Sequence, residues 1–229
     1  MWALVPLKLL DQVKNRLATV LSTEERHGLV IAMLRDVLKA LCNTRELTGV
    51  LLVSREPLIQ SLVSAHPTLH FWQEPPNCDL SASITAASNY LKNDLGATGV
   101  MIIPADVPLI TSQHVSRLLS KHKQVTLVPD DQKLGTNCLI CTPPNNIPVL
   151  YDGNSFKPHL ASAQKLNLNP LTVSCDVFSL DIDTPQDLVR LAYCVGDTHT
   201  GTFMRAMGIM QTMSISERML NQSDLIRTG

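Results

Sequence analysis

Val100-Met101-Ile102-Ile103-Pro104-Ala105-Asp106-Val107-Pro108-Leu109 and Leu180-Asp181-Ile182-Asp183-Thr184-Pro185 are the two runs on which the fold reading turns. In the first, an apolar strand runs into Pro104, and Asp106 sits between two prolines that hold the loop in a fixed shape. In the second, acids alternate with Leu180 and Ile182. On a strand, Asp181 and Asp183 then point to the same face. An open α/β sheet presents its ligand crevice at the carboxyl ends of its strands. Carboxylates meeting there can hold Mg²⁺, which takes few protein oxygens and completes its shell with phosphates and water. Two like charges this close are costly unless a cation lies between them. The plainer alternatives are Asp183 capping the helix begun by Thr184 and Pro185, and Asp106 as a turn aspartate.

Strand and helix alternate outward from these runs. Ala3 to Pro6 reads as a first strand, and Ser22-Thr23-Glu24-Glu25 as a capping box. Leu29, Met33 and Val37 then recur at the spacing of a helix packed on a sheet. Strands are expected at Val50 to Val53, Leu69 to Trp72, Val100 to Ile103, Val125 to Val128, Cys138 to Cys141 and Phe178 to Ile182. Pro57 opens a short helix. Asp79 or Ser81 caps a helix burying Ile84, Ala87 and Leu91, and Ser112 caps another. Phe156 to Leu166 is a further helix, and Thr184-Pro185-Gln186-Asp187 starts the last clear one. This alternation predicts an α/β fold with a mostly parallel sheet and helices on both faces. Residues 1–195 form one domain in this reading, and 196–229 a C-terminal extension. Met204, Met207, Met210 and Met213 recur every third residue there, amid glycines and polar residues. A partner-binding helix and a partly disordered tail are both open, the tail being favoured.

Composition excludes several classes. Of 229 residues, 19 are Lys or Arg and 20 are Asp or Glu, a net charge of -1 that argues against sequence-independent nucleic-acid binding. No apolar run reaches the roughly 18–20 residues needed to cross a bilayer, and residues 1–10 lack the pattern of a signal peptide. Six dispersed cysteines read as reduced thiols of a cytoplasmic protein. Cys138 and Cys141 make a C-x-x-C, but inside an apolar strand they read as buried residues.

Three loops carry the remaining chemistry. Lys8, Lys14 and Arg16 lie between the first strand and first helix, where they can clamp a triphosphate; a solvated basic loop is the alternative. Leu134-Gly135-Thr136-Asn137 leads into a strand, and Tyr151-Asp152-Gly153-Asn154-Ser155-Phe156 precedes a helix whose start can meet an anion. His159, just inside that helix, is a candidate phosphate contact or a surface histidine. Neither G-x-x-x-x-G-K-[ST] nor G-x-G-x-x-G occurs, which removes the P-loop and the dinucleotide fingerprint.

V-P-L-K-x5-K-x-R-L, P-A-D-V-P-L, G-T-N, G-N-S-F-x2-H and L-D-I-D-T-P occur in this order. The chain thereby resembles the guanylyltransferases of coenzyme F-420 biosynthesis, within the MobA-like nucleotidyltransferases of Rossmann-like glycosyltransferase-A fold. The resemblance runs from about Trp2 to Leu191. It implies transfer of GMP from GTP to 2-phospho-L-lactate, phosphoenolpyruvate or 3-phospho-D-glycerate, with release of pyrophosphate. It implies that Lys8, Lys14 and Arg16 bind the GTP phosphates, with Lys14 also in a catalytic role. Asp106, Asp181 and Asp183 would hold Mg²⁺, and Thr136, Asn137, Gly153, Ser155 and His159 the acceptor. Asp152 and Asn154 stand where the family motif Y-G-x-G-S-F has glycines. Two rivals remain: a molybdopterin or sugar-phosphate nucleotidyltransferase, whose glycine-rich opening loop is missing because no glycine precedes Gly28, and a non-catalytic nucleotide-binding subunit. A homodimer is compatible with the sequence.

Overall fold

The structure, a computed structural model, describes residues 1–12, 14–62 and 66–210. Strand β1 (Trp2–Leu7) is followed by 3₁₀ turns Leu10–Gln12 and Asn15–Thr19, then α1 (Thr23–Cys42), β2 (Gly49–Ser54), α2 (Pro57–Gln60) and β3 (Leu69–Gln73). Next come α3 (Leu80–Asn93), β4 (Val100–Ile102), α4 (Ser112–Leu119), β5 (Val125–Pro129) and β6 (Thr136–Cys141). The chain continues through α5 (Phe156–Lys165), β7 (Leu171–Thr172), α6 (Asp176–Ser179), α7 (Pro185–Cys194) and α8 (His199–Ala206).

The seven strands form one sheet in the order β3-β2-β1-β4-β6-β5-β7. β1 pairs in parallel with both β2 and β4, while β6 runs antiparallel to β4 and β5. β5 pairs in parallel with β7. The first crossovers therefore step one way from β1, and β4 is laid on its other side. That reversal opens a crevice beyond the carboxyl ends of β1 and β4. Because β6 is antiparallel, its first residues, Thr136 and Asn137, arrive at the same edge.

Alternation along β1 divides the core. Ala3, Val5 and Leu7 join α1, α4 and α7 on one face, and Trp2 and Leu4 join α3 and α5 on the other. The same rule separates the C-x-x-C pair: Cys138 faces the first layer and Cys141 the second, both fully buried. Thiols on opposite faces of a strand cannot share a metal or a disulfide. Burial also pushes the Cys141 thiol up to about 12. The buried-strand reading holds.

The capping box of α1 is formed, Glu25 N–H donating to Ser22 Oγ and Ser22 N–H to Glu25 Oε2. For α4 the cap is Thr111 rather than Ser112, since the Thr111 hydroxyl accepts from His114 N–H. The largest departure lies at 178–182. No ladder forms there; α6 occupies Asp176–Ser179, and the following residues cross the ends of other strands. Their backbone groups are claimed singly: Asp131 N–H donates to Ser179 O, Asn137 Nδ2 to Phe178 O and Ile182 N–H to Asp106 O. The alternation is genuine, because Leu180 and Ile182 are buried while Asp181 and Asp183 are partly open. It reflects a two-faced extended segment, with a loop supplying the hydrogen bonds of a neighbouring strand.

Residues 197–209 continue the domain. Asp36, buried on α1, accepts from His199 N–H, Thr200 N–H and Thr200 Oγ1, pinning the start of α8. Phe203 lies over Gly28 so closely that a Cβ there would come within 2.4 Å of its ring. Met204 is fully buried, Met210 is partly buried against the same core and Met207 is exposed, so the spacing marks two core contacts among the described residues; Met213 lies outside them. Among the described residues, no helix is long and apolar enough to cross a membrane.

Candidate active site

The crevice beyond β1 and β4 is a cleft of about 620 Å³. Pro6, Leu7 and Lys8 line it from β1, Ile102 and Pro104 to Asp106 from β4, and Gly135 to Asn137 from the start of β6. Tyr151, Asp152, Gly153 and Ser155 close one end, while Leu80 and Ile84 of α3 form an apolar wall. Asp181 and Asp183 complete it. Carboxylates 75 or more residues apart in sequence therefore meet, and one backbone bond fixes their segments: Ile182 N–H donates to Asp106 O at 3.1 Å.

Lys14 lies among them. Its Nζ donates to Asp106 Oδ2 at 2.5 Å and to Asp183 Oδ1 at 2.6 Å. The residue sits in the left-handed region at φ 55° and ψ 34°, a turn that carries its side chain inward. Burial lowers the affinity of the ammonium for its proton, but Asp106 and Asp183 outweigh that and raise the pKa above the ordinary lysine value. Burial pushes the Asp183 carboxyl up, yet Lys14 and then Arg16 hold it below the usual range. Asp181 has no such partner. Burial and the Asp106 charge push its carboxyl up to about 6, and the Asn137 amide, donating at 3.0 Å, offsets only part of this.

The donor set suits a hard divalent cation: three carboxylates on one cleft, and an Asp106 Oδ1 that is buried with no hydrogen-bond partner. Among the described residues, however, no three His, Cys, Asp or Glu side chains stand at metal-holding spacing. The Lys14 ammonium takes the place between two of the carboxylates. Lys8 lines the cleft and is exposed, whereas Arg16 is exposed and outside the lining, acting on Asp183 through its charge.

At the other end, Thr136 and Ser155 are buried lining residues whose hydroxyls lie 3.1 Å apart. Gly153 adopts φ +94°, which side chains rarely tolerate, and lines the cleft between them and Asp152. The start of α5 offers little to an anion: Phe156 N–H donates to Leu134 O, and Pro158 has no N–H. His159 is expected as a direct contact, but it is fully buried behind the lining. Leu150 N–H donates to its Nε2 at 2.9 Å, and Nδ1 lies 3.0 Å from Thr136 Oγ1. Asn137 likewise points at Asp181 and Phe178 O. The sequence reading has Tyr151 only as part of its loop, takes Ile84 only as core, and does not assign Leu80 to the cleft.

A family profile described as guanylyl transferase CofC like matches residues 1–223. A 2-phospho-L-lactate guanylyltransferase of Methanocaldococcus sp. (strain FS406-22) is 34% identical, the match covering 91% of this chain and 88% of that protein. A phosphoenolpyruvate guanylyltransferase of Sphaerobacter thermophilus is 31% identical over 83% of this chain and 91% of its own. Among solved structures, a nucleotidyl transferase from Methanothermobacter thermautotroptrophicus superposes with TM-score 0.64 at 15% identity, covering 90% of this chain and 98% of that one. That likeness shows the nucleotidyltransferase fold.

Proposed function

The chain belongs to the guanylyl transferase CofC-like family, and on that premise we propose that it transfers GMP from GTP to a small phosphorylated carboxylic acid, releasing pyrophosphate. The observation that carries the reading is one cleft holding three carboxylates and two lysines at one end and buried hydroxyl donors at the other. The first end suits a metal-bound triphosphate and the second an anionic acceptor. The step belongs to coenzyme F-420 biosynthesis by family resemblance.

The nucleophile is an oxygen of the acceptor phosphate. With a second pKa near 6, such a monoester is largely dianionic at neutral pH, so no protein base is required. The difficulty is bringing one anion to another, which makes positioning and charge stabilisation the protein's work. Lys8 and Lys14 reach the nucleotide phosphates, and Arg16 adds its charge from the rim. Bound Mg²⁺, held by Asp106, Asp181 and Asp183, would neutralise the transferred group and the leaving pyrophosphate. Thr136, Ser155 and the Gly153 backbone hold the acceptor in line with the α-phosphorus. The apolar wall of Leu80 and Ile84 excludes water.

The test is an acceptor panel. Purified protein with GTP and Mg²⁺ is given 2-phospho-L-lactate, phosphoenolpyruvate or 3-phospho-D-glycerate, and products are weighed by mass spectrometry, with and without chelator. A guanylylated acid in at least one reaction, lost on chelation, supports the proposal. GTP binding without product from any acceptor contradicts it.

A further inference from the structure

We infer that His159 is a positioning residue: through a chain of hydrogen bonds ending at Thr136 and Ser155, it makes the acceptor end of the cleft a fixed donor of one hydroxyl proton. This rests on the proposed acceptor reading and assigns that subsite its selectivity, for an oxygen that accepts and carries charge.

The assignment follows from counting hydrogens. Leu150 N–H donates to His159 Nε2 at 2.9 Å, so that nitrogen carries no proton. A neutral ring then has its proton on Nδ1, which donates to Thr136 Oγ1 at 3.0 Å. Ser155 Oγ and Thr136 Oγ1 share one further bond, at 3.1 Å. Two hydroxyl protons are available and that contact uses one. Whichever hydroxyl donates, the other O–H is left with no acceptor among the described residues. Thr136 and Ser155 are 4% and 1% exposed and both line the cleft, so a ligand can take that proton. A buried hydroxyl left without an acceptor is costly, and satisfying it favours whichever group brings a lone pair.

The backbone amide of Leu150 fixes the direction of the chain. Were the proton on Nε2 instead, two N–H donors would face each other. The ring also stays neutral: burial lowers its pKa to about 4, against which the Asp152 charge is a smaller effect. It thus adds no charge and performs no proton transfer near neutral pH. A carboxylate or phosphate oxygen, which can only accept, satisfies the outward O–H; an N–H or a second donor does not.

The variants His159→Phe, Thr136→Val, their double and His159→Asn test this, with acceptor KM measured for phosphoenolpyruvate and 2-phospho-L-lactate at saturating GTP, and GTP KM beside it. A hydrogen bond to a charged oxygen predicts that His159→Phe raises acceptor KM about 10- to 100-fold, with GTP KM little changed. Thr136→Val should do the same, and the double should be no worse than Thr136→Val alone, since each breaks the same chain that holds the outward hydroxyl in place. His159→Asn, whose amide can take the place of Nδ1–H, should recover most of the acceptor affinity. If His159→Phe does not fold, the remaining pair decides: His159→Asn near wild type with Thr136→Val impaired supports the inference, and His159→Asn as impaired as Thr136→Val overturns it. An unchanged acceptor KM in His159→Phe, or effects that multiply in the double, also overturns it. A wild-type protein that binds GTP but turns over neither acceptor contradicts the guanylyltransferase reading itself, whereas an active wild type with an indifferent His159 contradicts only this inference.

Discussion

The Nζ of Lys14 bridges Asp106 and Asp183, two carboxylates separated by 77 positions in the chain, at 2.5 and 2.6 Å. A tethered ammonium thus fills the space between two oxygens that a nucleotidyltransferase would direct at a divalent ion. Lys14 relieves the repulsion of the two carboxylates, and in the proposed function a metal-bound nucleotide would have to draw that ammonium toward its phosphates.

Replacing Lys14 by Met leaves the two acids facing each other. Because Asp183 is about half exposed, the loss should be modest for a buried-pair disruption, about 1–3 kcal/mol. Added Mg²⁺ or Mn²⁺ should then raise the melting temperature of Lys14→Met more than that of the wild type. Calorimetry with and without the ion checks this; an equal response in both proteins would show that the lysine does not occupy the cation's place.

Asp106→Ala and Asp183→Ala should each reduce turnover by at least about 10²–10³-fold, the usual effect of losing one charge-stabilising group. Their circular dichroism should match wild type. Near-normal rates in either variant would remove these carboxylates from the chemistry.

Asp181 predicts a pH dependence of opposite sense to a salt-bridged acid. Its carboxyl is held near 6, above the ordinary value of 3.8, so the folded state resists its ionisation. Its contribution to stability is full below the unfolded pKa and is lost as pH rises through about 6. Asp181→Asn should therefore melt higher than wild type at pH 7 to 8, with the difference fading toward pH 4, while losing activity. In wild type, activity should fall below about pH 6, as the carboxyl takes up a proton. A stability difference that grows toward acid would reverse the sign.

Asp36 tests the C-terminal packing. With three donors of α8 resting on one buried carboxylate, Asp36→Ala strands them, and chemical denaturation should report a loss of about 2–4 kcal/mol. A loss under about 0.5 kcal/mol, the scale of an ordinary surface change, would mean that α8 contributes little to the fold.

Much of this was legible in residue order because local rules agree with the global fold. The caps at Ser22, Asp79 and Thr184 start helices as read, and the two acid runs do converge. The run at 178–182 was misread because alternation reports two environments, not a ladder partner, and here the partners are the Asp106 carbonyl and the Asn137 amide. The antiparallel direction of β6 left no mark, yet it delivers Thr136 and Asn137 to the cleft. His159 reads as a phosphate contact or a surface histidine and not as a buried residue, since its burial depends on Leu150 and Thr136, which a single sequence does not place beside it. After Cys194, glycines and polar residues hid a helix whose anchor, Asp36, lies more than 160 residues earlier.

The most direct measurement is a crystal structure with a non-hydrolysable GTP analogue, Mn²⁺ and phosphoenolpyruvate. The account predicts anomalous density for manganese among Asp106, Asp181 and Asp183, Lys14 turned to the phosphates, and an acceptor oxygen on Thr136 or Ser155. Nucleotide bound elsewhere, with Lys14 still bridging Asp106 and Asp183, would contradict it.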